Sequence, residues 1–145
     1  MVRVQILPLV LPLFPFSGPE LKFLAEAIVH TFGWKSEDIE VLITSDLEIA
    51  RMNQKFMDLP GPTNVLSFPL EMDQAMGISG SIALSAHALQ READLYAQDP
   101  AEYCLRLIVH GLLHLAGKEH GLEMETMTES GVDAAVRALE SGSFG

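Results

Sequence analysis

The 145-residue chain contains one cysteine and only nine lysines and arginines, and both shortages restrict what it does. Because Cys104 stands alone, it forms no internal disulfide, which fits a reduced, cytoplasmic compartment. Its position among apolar residues predicts a small buried hydrophobe rather than a catalytic thiol. With 20 aspartates and glutamates the net charge is −11. The overall field therefore repels a phosphate backbone, and only a local site can hold nucleic acid.

The chain also lacks a hydrophobic run long enough to cross a bilayer. The apolar segment Met1 to Phe16 is interrupted by three prolines, and no A-x-A-like cleavage site follows it. A membrane-spanning helix needs about 20 apolar residues. Apolar and polar residues alternate from Val2 to Ile6, which is the pattern of a strand. We therefore predict an opening strand, an extended proline-rich crossing and no membrane partner.

What the sequence does contain is a series of well-marked helices between short apolar segments. Capping boxes, in which a Ser or Asp and a Glu three residues later satisfy free N–H groups, mark helix starts at Ser17–Glu20, Ser45–Glu48 and Asp99–Glu102. The predicted helices cover 18–32, 46–57, 86–96, 100–117 and 123–140, and the predicted strands cover 2–6, 39–44, 65–70 and 81–84. Between them we predict a loop over 58–64 and a flexible connection over 72–80. Residues 1–145 are expected to form one α+β domain, with a mixed sheet of about four strands flanked by about five helices.

The most informative segment runs from His110 to His120. His110 and His114 are four residues apart on a predicted helix and therefore share one face. Gly117 can take the left-handed conformation that ends a helix, so the chain can turn and bring His120 back as a third ligand. Three imidazoles leave the fourth position of Zn²⁺ open for water, as in catalytic zinc sites. We predict one zinc ion on this helix and the following turn.

The spacing H-x-x-x-H-x-x-G-x-x-H is also that of the metzincin proteases. In those enzymes a Glu follows the first His and acts as general base. Here Gly111 occupies that position and cannot take a proton, which disfavours a metzincin-type peptidase. A glycine within a helix instead indicates close packing against a neighbouring element or a ligand. The remaining histidines, His30 and His87, occur singly on their helices and are predicted to be structural or solvated.

With Gly111 in place, the segment resembles the H-G-x-L-H-L-x-G-x-D-H signature of YbeY-type endoribonucleases, also called rRNA maturation factors. Pro62 to Pro69, with the sequence PTNVLSFP, resembles that family's P-T-D/N-V-L-S-F-P motif. The order and separation of the two motifs also match, and the resemblance covers about residues 38–140. It implies a mixed sheet flanked by helices, one zinc ion, and hydrolysis of single-stranded RNA. It further implies a role in 16S rRNA 3′-end maturation and ribosome quality control, with the small ribosomal subunit as partner.

Carried over residue by residue, the resemblance assigns the metal ligands and part of the substrate cleft. His110, His114 and His120 match the metal ligands. The cleft residues are in the second motif, and they are Thr63, Asn64 and Ser67.

Departures from the family pattern occur at three places near the site, the last of which covers the adjacent residues Lys118 and Glu119. Met57 occupies the place of an Arg in the family's L-N-x-x-Y-R, which makes Lys55, two residues away, the candidate cation. The family's Gly-Asp before its last strand is Gly80-Ser81 here. Lys118 replaces an aromatic residue and is a candidate for binding phosphate. Glu119 replaces an Asp beside the last ligand; it is a candidate general base, with support of the ligand or simple solvation as alternatives.

Three functions therefore follow from the sequence. The leading one is a metal-dependent endoribonuclease. Met57 and the charge of −11 favour the second, a non-enzymatic, metal-stabilised ribosome-assembly factor. The third is a metallopeptidase-like hydrolase. A basic cleft around Arg51, Lys55 and Lys118 would favour RNA, and an unpaired strand edge beside the metal would favour a peptide. The sequence gives no oligomeric state.

Overall fold

The computed structural model describes residues 1–70, 77–118 and 121–141, and within them the chain forms five α-helices and four strands. The strands are β1 (Val2–Ile6), β2 (Lys35–Thr44), β3 (Val65–Pro69) and β4 (Gly77–Ser85). The helices are α1 (Gly18–Thr31), α2 (Asp46–Met57), α3 (Ala86–Leu95), α4 (Pro100–Leu115) and α5 (Leu122–Glu140), with a short 3-10 helix at Leu11–Leu13. The predicted α+β class is confirmed.

Three helices begin where the sequence predicts a cap. At α1 both halves of the capping box are present: the Glu20 amide donates to the Ser17 hydroxyl at 3.2 Å, and the Ser17 amide donates to the Glu20 carboxylate at 2.8 Å. The side chains of Ser45 and Asp99 accept the corresponding bond at α2 and α4. Local hydrogen bonding therefore fixes where these helices begin.

The four strands form one mixed sheet in the order β1-β2-β4-β3. β1 runs parallel to β2 and β2 parallel to β4, whereas β3 is antiparallel to β4. β3 is therefore an edge strand of the described sheet, and its sequence is the second half of the motif Pro62 to Pro69.

Two strands begin earlier than predicted, and for the same reason. β2 starts at Lys35 rather than 39, and β4 starts at Gly77 rather than 81, because these two extensions pair with each other in parallel register. The flexible connection predicted over 72–80 is therefore wrong for residues 77–80, and its residues 72–76 lie outside the described part of the chain. Pairing with β2 along the whole stretch compensates for the low strand propensity of its two glycines. On the other side Gly80 pairs with Pro69, and the Leu70 amide donates to the Ser79 carbonyl at 3.1 Å.

Helices cover both faces of the sheet. On one face Ile82 of β4 lies against α4, and on the other the next residue, Ala83, packs with Ile49 of α2. This alternation is the period of two that a strand imposes. α4 is the central helix of the larger core, and nine of its residues are buried. Cys104 is among them and fully buried, as the sequence predicts.

None of the helices in these ranges has the length and apolar character needed to cross a membrane.

Candidate active site

Two histidines converge at the C-terminal end of α4. The Nε2 atoms of His110 and His114 lie 3.1 Å apart, and the two rings meet edge to face with their centroids 4.7 Å apart. The spacing of four residues places both rings on one face of α4, one turn apart. Both side chains are half-buried, in a helix whose opposite face is packed into the core. The structure therefore brings together two of the three predicted ligands.

α4 ends one residue after His114, and Gly117 takes the helix-ending conformation that the sequence predicts. Gly117 has a φ of +81°, in the left-handed region. The Lys118 amide donates to the Leu113 carbonyl and the Gly117 amide to the His114 carbonyl, each at 3.0 Å, which completes a Schellman motif. His120 and Glu119 follow this turn and lie outside the described residues, so the third ligand and the candidate base remain predictions.

The two described histidines fit a zinc ion. Two nitrogens bound tetrahedrally to one Zn²⁺ at about 2.0–2.1 Å lie about 3.3 Å apart, and the Nε2 atoms are separated by 3.1 Å. At this separation one ring can also donate its N–H to the other when no ion lies between them. Among the described residues, no three His, Cys, Asp or Glu side chains converge closely enough to hold an ion. His120 is not one of those residues, so a metal held by three histidines is a prediction.

Gly111 explains how α4 comes close to the sheet. A Cβ atom at this position would lie 3.1 Å from Cγ2 and 3.2 Å from Cδ1 of Ile82. The glycine therefore permits the close packing that the sequence indicated. The Gly111 carbonyl also accepts a hydrogen bond of 3.1 Å from the Ser67 hydroxyl. This bond joins β3 to α4 at a residue that lies between His110 and His114 in the sequence.

A cavity of about 450 Å³, here called the histidine cavity, opens beside the two rings. Its lining residues come from β3, from the residue before it and from α4; they are Asn64, Val65, Ser67, Tyr103, Arg106, Leu107, His110 and His114. Two of the residues predicted to line a cleft, Asn64 and Ser67, therefore lie together with two of the predicted ligands.

Thr63 lines a neighbouring cavity of about 460 Å³, here called the loop cavity, which shares Val65, Ser67 and His114 with the histidine cavity. Met57 also lines the loop cavity. The residue that replaces the family's Arg thus lies close to the histidine site and presents an apolar side chain there.

The two lysines predicted for the site are not brought into either cavity. Lys55 is exposed, and its Nζ lies 5.2 Å from the centroid of the adjacent Phe56 ring. Lys118 pairs with Glu123 at 3.2 Å. Arg51 forms an ion pair with Glu48 on the same helix. Among the described residues these three cations therefore do not form the basic cleft that would favour RNA.

Other residues of the site were not found from the sequence. The Glu92 carboxylate of α3 accepts hydrogen bonds from Tyr103 Oη at 2.7 Å and Asn64 Nδ2 at 3.0 Å. The other side of the Asn64 amide accepts the Val65 N–H at 2.7 Å, so this side chain is held at both ends. Burial and the hydrogen bond to Glu92 raise the pKa of Tyr103 well above its usual range. The three residues come from separate elements, and no local pattern relates them.

Arg106 is a third residue of the site that was not predicted from the sequence. It lies one turn before His110 on α4 and lines the histidine cavity. It also lines, together with His110, a third cavity of about 500 Å³ between α4 and α5, here called the helix cavity. Its guanidinium forms an ion pair with Glu129 of α5. The spacing of four residues from His110 was the signal that could have identified it.

The two histidines outside this segment have the roles predicted for them. His87 Nδ1 accepts the Asp46 amide at 3.0 Å and so caps α2. His30 is exposed in the last turn of α1.

A mixed sheet with its edge strand beside a histidine pair, on a helix ended by a glycine, defines an α+β protein with a candidate histidine site. The sequence profile of the family described as endoribonuclease YbeY matches residues 19–134, and the chain belongs to this family. The resemblance inferred from the two motifs is thereby confirmed, and so is the predicted class of enzyme, an endoribonuclease.

Individual relatives support the assignment to this family. The chain is 36% identical to the endoribonuclease YbeY of Oleidesulfovibrio alaskensis, over 81% of this chain and 82% of the relative. It is 37% identical to that of Nitratidesulfovibrio vulgaris, over 84% and 86% of the two chains. The solution structure of TM1509 from Thermotoga maritima has the same fold, with a TM-score of 0.64 at 23% identity, and the match covers 99% of this chain and 94% of that one.

Proposed function

We propose that this chain is a zinc-dependent endoribonuclease that cleaves single-stranded rRNA in the cytoplasm, in 16S 3′-end maturation and ribosome quality control. The observation that carries the proposal is the pair of Nε2 atoms 3.1 Å apart beside a cavity that a motif strand also lines. Membership of the endoribonuclease YbeY family supports the reaction class. The small ribosomal subunit is the proposed partner, and residues 1–145 the proposed catalytic domain.

The proposed ligands are His110, His114 and His120. A zinc ion bound there would supply a Lewis acid and a water of lowered pKa. The rings of His110 and His114 would contribute two of the metal's ligands at a set separation, because the buried face of α4 holds the helix in place. Because Ser67 donates to the Gly111 carbonyl, β3 is held against the same turn of the helix.

The remaining residues of the site are proposed to act on the RNA substrate. Asn64 and Ser67 line the histidine cavity and Thr63 the loop cavity, so an RNA strand lying along β3 would pass all three. Glu92 holds the Asn64 amide in one orientation, which reduces the entropy lost when that amide binds substrate. Glu119 remains the proposed base, while Lys55 and Lys118 are proposed to act on RNA that extends beyond the cavities.

One observation favours the assembly-factor function. Met57, where the family has an Arg, lines the loop cavity beside His114 and offers no donor for a phosphate. Another favours a peptide substrate, because β3 is an edge strand and its residues Val65 and Ser67 line both cavities beside His114. A peptide could add to such an edge by main-chain hydrogen bonds.

One experiment separates the three functions. Wild type and His114→Ala are purified, their bound metal is measured, and both are incubated with single-stranded RNA and with an unstructured peptide. His30→Ala is the matched control, because it removes an exposed histidine from another helix.

Cleavage of RNA by wild type and His30→Ala, with loss of both metal and cleavage in His114→Ala, supports the proposed nuclease. Wild type that retains metal and cleaves neither substrate would favour the assembly factor. Metal-dependent cleavage of the peptide alone would refute the nuclease proposal in favour of the hydrolase of peptides.

A further inference from the structure

A nuclease of net charge −11 has to hold its substrate's phosphates with a local cation. None of the lysines and arginines predicted for this task lies in the cavities beside the histidines. Arg106 does, because it lines both the histidine cavity and the helix cavity. It shares that position with His110, which lines the same two cavities. A strand that passes from one cavity to the other therefore passes this guanidinium.

Arg106 is also suited to exchange its present partner for a phosphate. Its side chain is 32% exposed, and that of its partner Glu129 is 60% exposed. An ion pair with such an exposed partner contributes little to stability, so replacing it with another anion costs little. The guanidinium has five N–H donors in a planar fork that matches two oxygens of a phosphate.

We propose that Arg106 is the residue of this chain that binds a phosphodiester of single-stranded RNA beside the histidine pair. Arg106 has the phosphate-binding role for which the sequence indicated Lys55. It supplies the positive charge that Met57 lacks. Glu129 holds the guanidinium in place in the absence of RNA and competes with the phosphate for it. This inference rests on the proposed nuclease function and names the residue that binds its substrate.

The opposing view is that Arg106 only joins α4 to α5 through Glu129. Both views predict that removing either partner lowers the melting temperature by a similar amount. They differ in substrate binding, because a phosphate ligand gains when the competing carboxylate is neutralised and a purely structural ion pair does not.

The test uses the full chain and a fluorescein-labelled single-stranded polyuridine oligonucleotide. Fluorescence anisotropy gives Kd over a range of salt concentrations, and cleavage kinetics give KM and kcat for the same RNA. The variants are Arg106→Ala, Arg106→Lys, Glu129→Gln and the double variant Arg106→Ala/Glu129→Gln. Arg91→Ala is the matched control, because it also removes one charge and one exposed ion pair but lines neither cavity.

We expect Arg106→Ala to weaken RNA binding by about ten- to a hundredfold, the range of a hydrogen bond to a charged group. The slope of log Kd against log salt should fall by about 0.7, as for one lost phosphate contact on a single strand. Arg106→Lys should retain the slope and recover part of the affinity. Glu129→Gln should tighten binding, and the double variant should lose that gain.

An Arg106→Ala variant whose Kd, KM and salt slope equal those of Arg91→Ala would overturn the proposal. So would a Glu129→Gln variant that weakens binding as much as Arg106→Ala does. In both cases wild type still binds and cleaves RNA, which leaves the nuclease function in place. Wild type that neither binds nor cleaves RNA would instead remove the nuclease function itself, and this inference with it.

Discussion

Gly80 provides the sharpest test of how the site is held together. It pairs with Pro69 of β3 at a φ of +146°. A Cβ atom at this position would overlap the Phe68 carbonyl oxygen and lie 2.9 Å from Pro69 Cα and 2.8 Å from Leu115 Cδ2. The glycine therefore occupies the place where β3, β4 and the end of α4 meet, one residue beyond His114 on that helix.

The cost of Gly80→Ala follows from these contacts. A side chain at this φ adds backbone strain of about 1–3 kcal/mol. Two of the three close atoms belong to the backbone and cannot rotate away, and overpacking of this kind costs about 1–3 kcal/mol. We expect a loss of about 2–6 kcal/mol, which is a large part of the stability of a typical domain.

The assay is urea unfolding of Gly80→Ala and of Gly33→Ala. Their free energies of unfolding are compared with one common dependence on urea concentration. Gly33 also has a positive φ, of +70°, but a Cβ atom placed on it would meet no atom within 4 Å, so that variant measures strain alone. We expect it to lose about 1–2 kcal/mol. A Gly80→Ala variant no less stable than Gly33→Ala would refute the steric argument and, with it, the close approach of the three elements.

Three further predictions concern individual side chains. Because Cys104 is fully buried and burial raises its pKa, Ellman's reagent should label it only on unfolding; rapid labelling of the native protein would contradict this. The hydrogen bond from Arg91 lowers the pKa of Asp46 below its ordinary value of 3.8, so Asp46 contributes stability above that pH that is lost as the pH falls through its folded pKa. Asp46→Asn should therefore lower the melting temperature at pH 7, and the difference should shrink below about pH 4, whereas a constant difference would exclude the linkage. Tyr103→Phe removes the 2.7 Å bond to Glu92 and should cost about 1–3 kcal/mol in urea unfolding. Tyr96→Phe is the control, because Tyr96 is exposed. Equal losses of unfolding free energy in the two variants would refute a special role for the bond between Tyr103 and Glu92.

The local features of this protein follow from its amino-acid sequence alone. Ser17 and Glu20 form the predicted capping box, and His110 and His114 share a face because their spacing matches the helical repeat. Gly117 ends α4 in the left-handed conformation that few other residues adopt. Each of these signals is contained in a few consecutive residues, so its meaning does not depend on the rest of the chain. The two motifs are likewise short and contiguous, and they were sufficient to identify the family.

Which distant residues share the site depends instead on tertiary packing. The strand at Gly77 to Gly80 exists because β2 pairs with all of it and β3 pairs with its last residue, and its own sequence gives little sign of this. Glu92 meets Asn64, and Arg106 lies between two cavities, because the packing of separate helices against one sheet places them there. Contacts of this kind depend on how elements far apart in sequence pack together, and periodicity within one element does not contain that information.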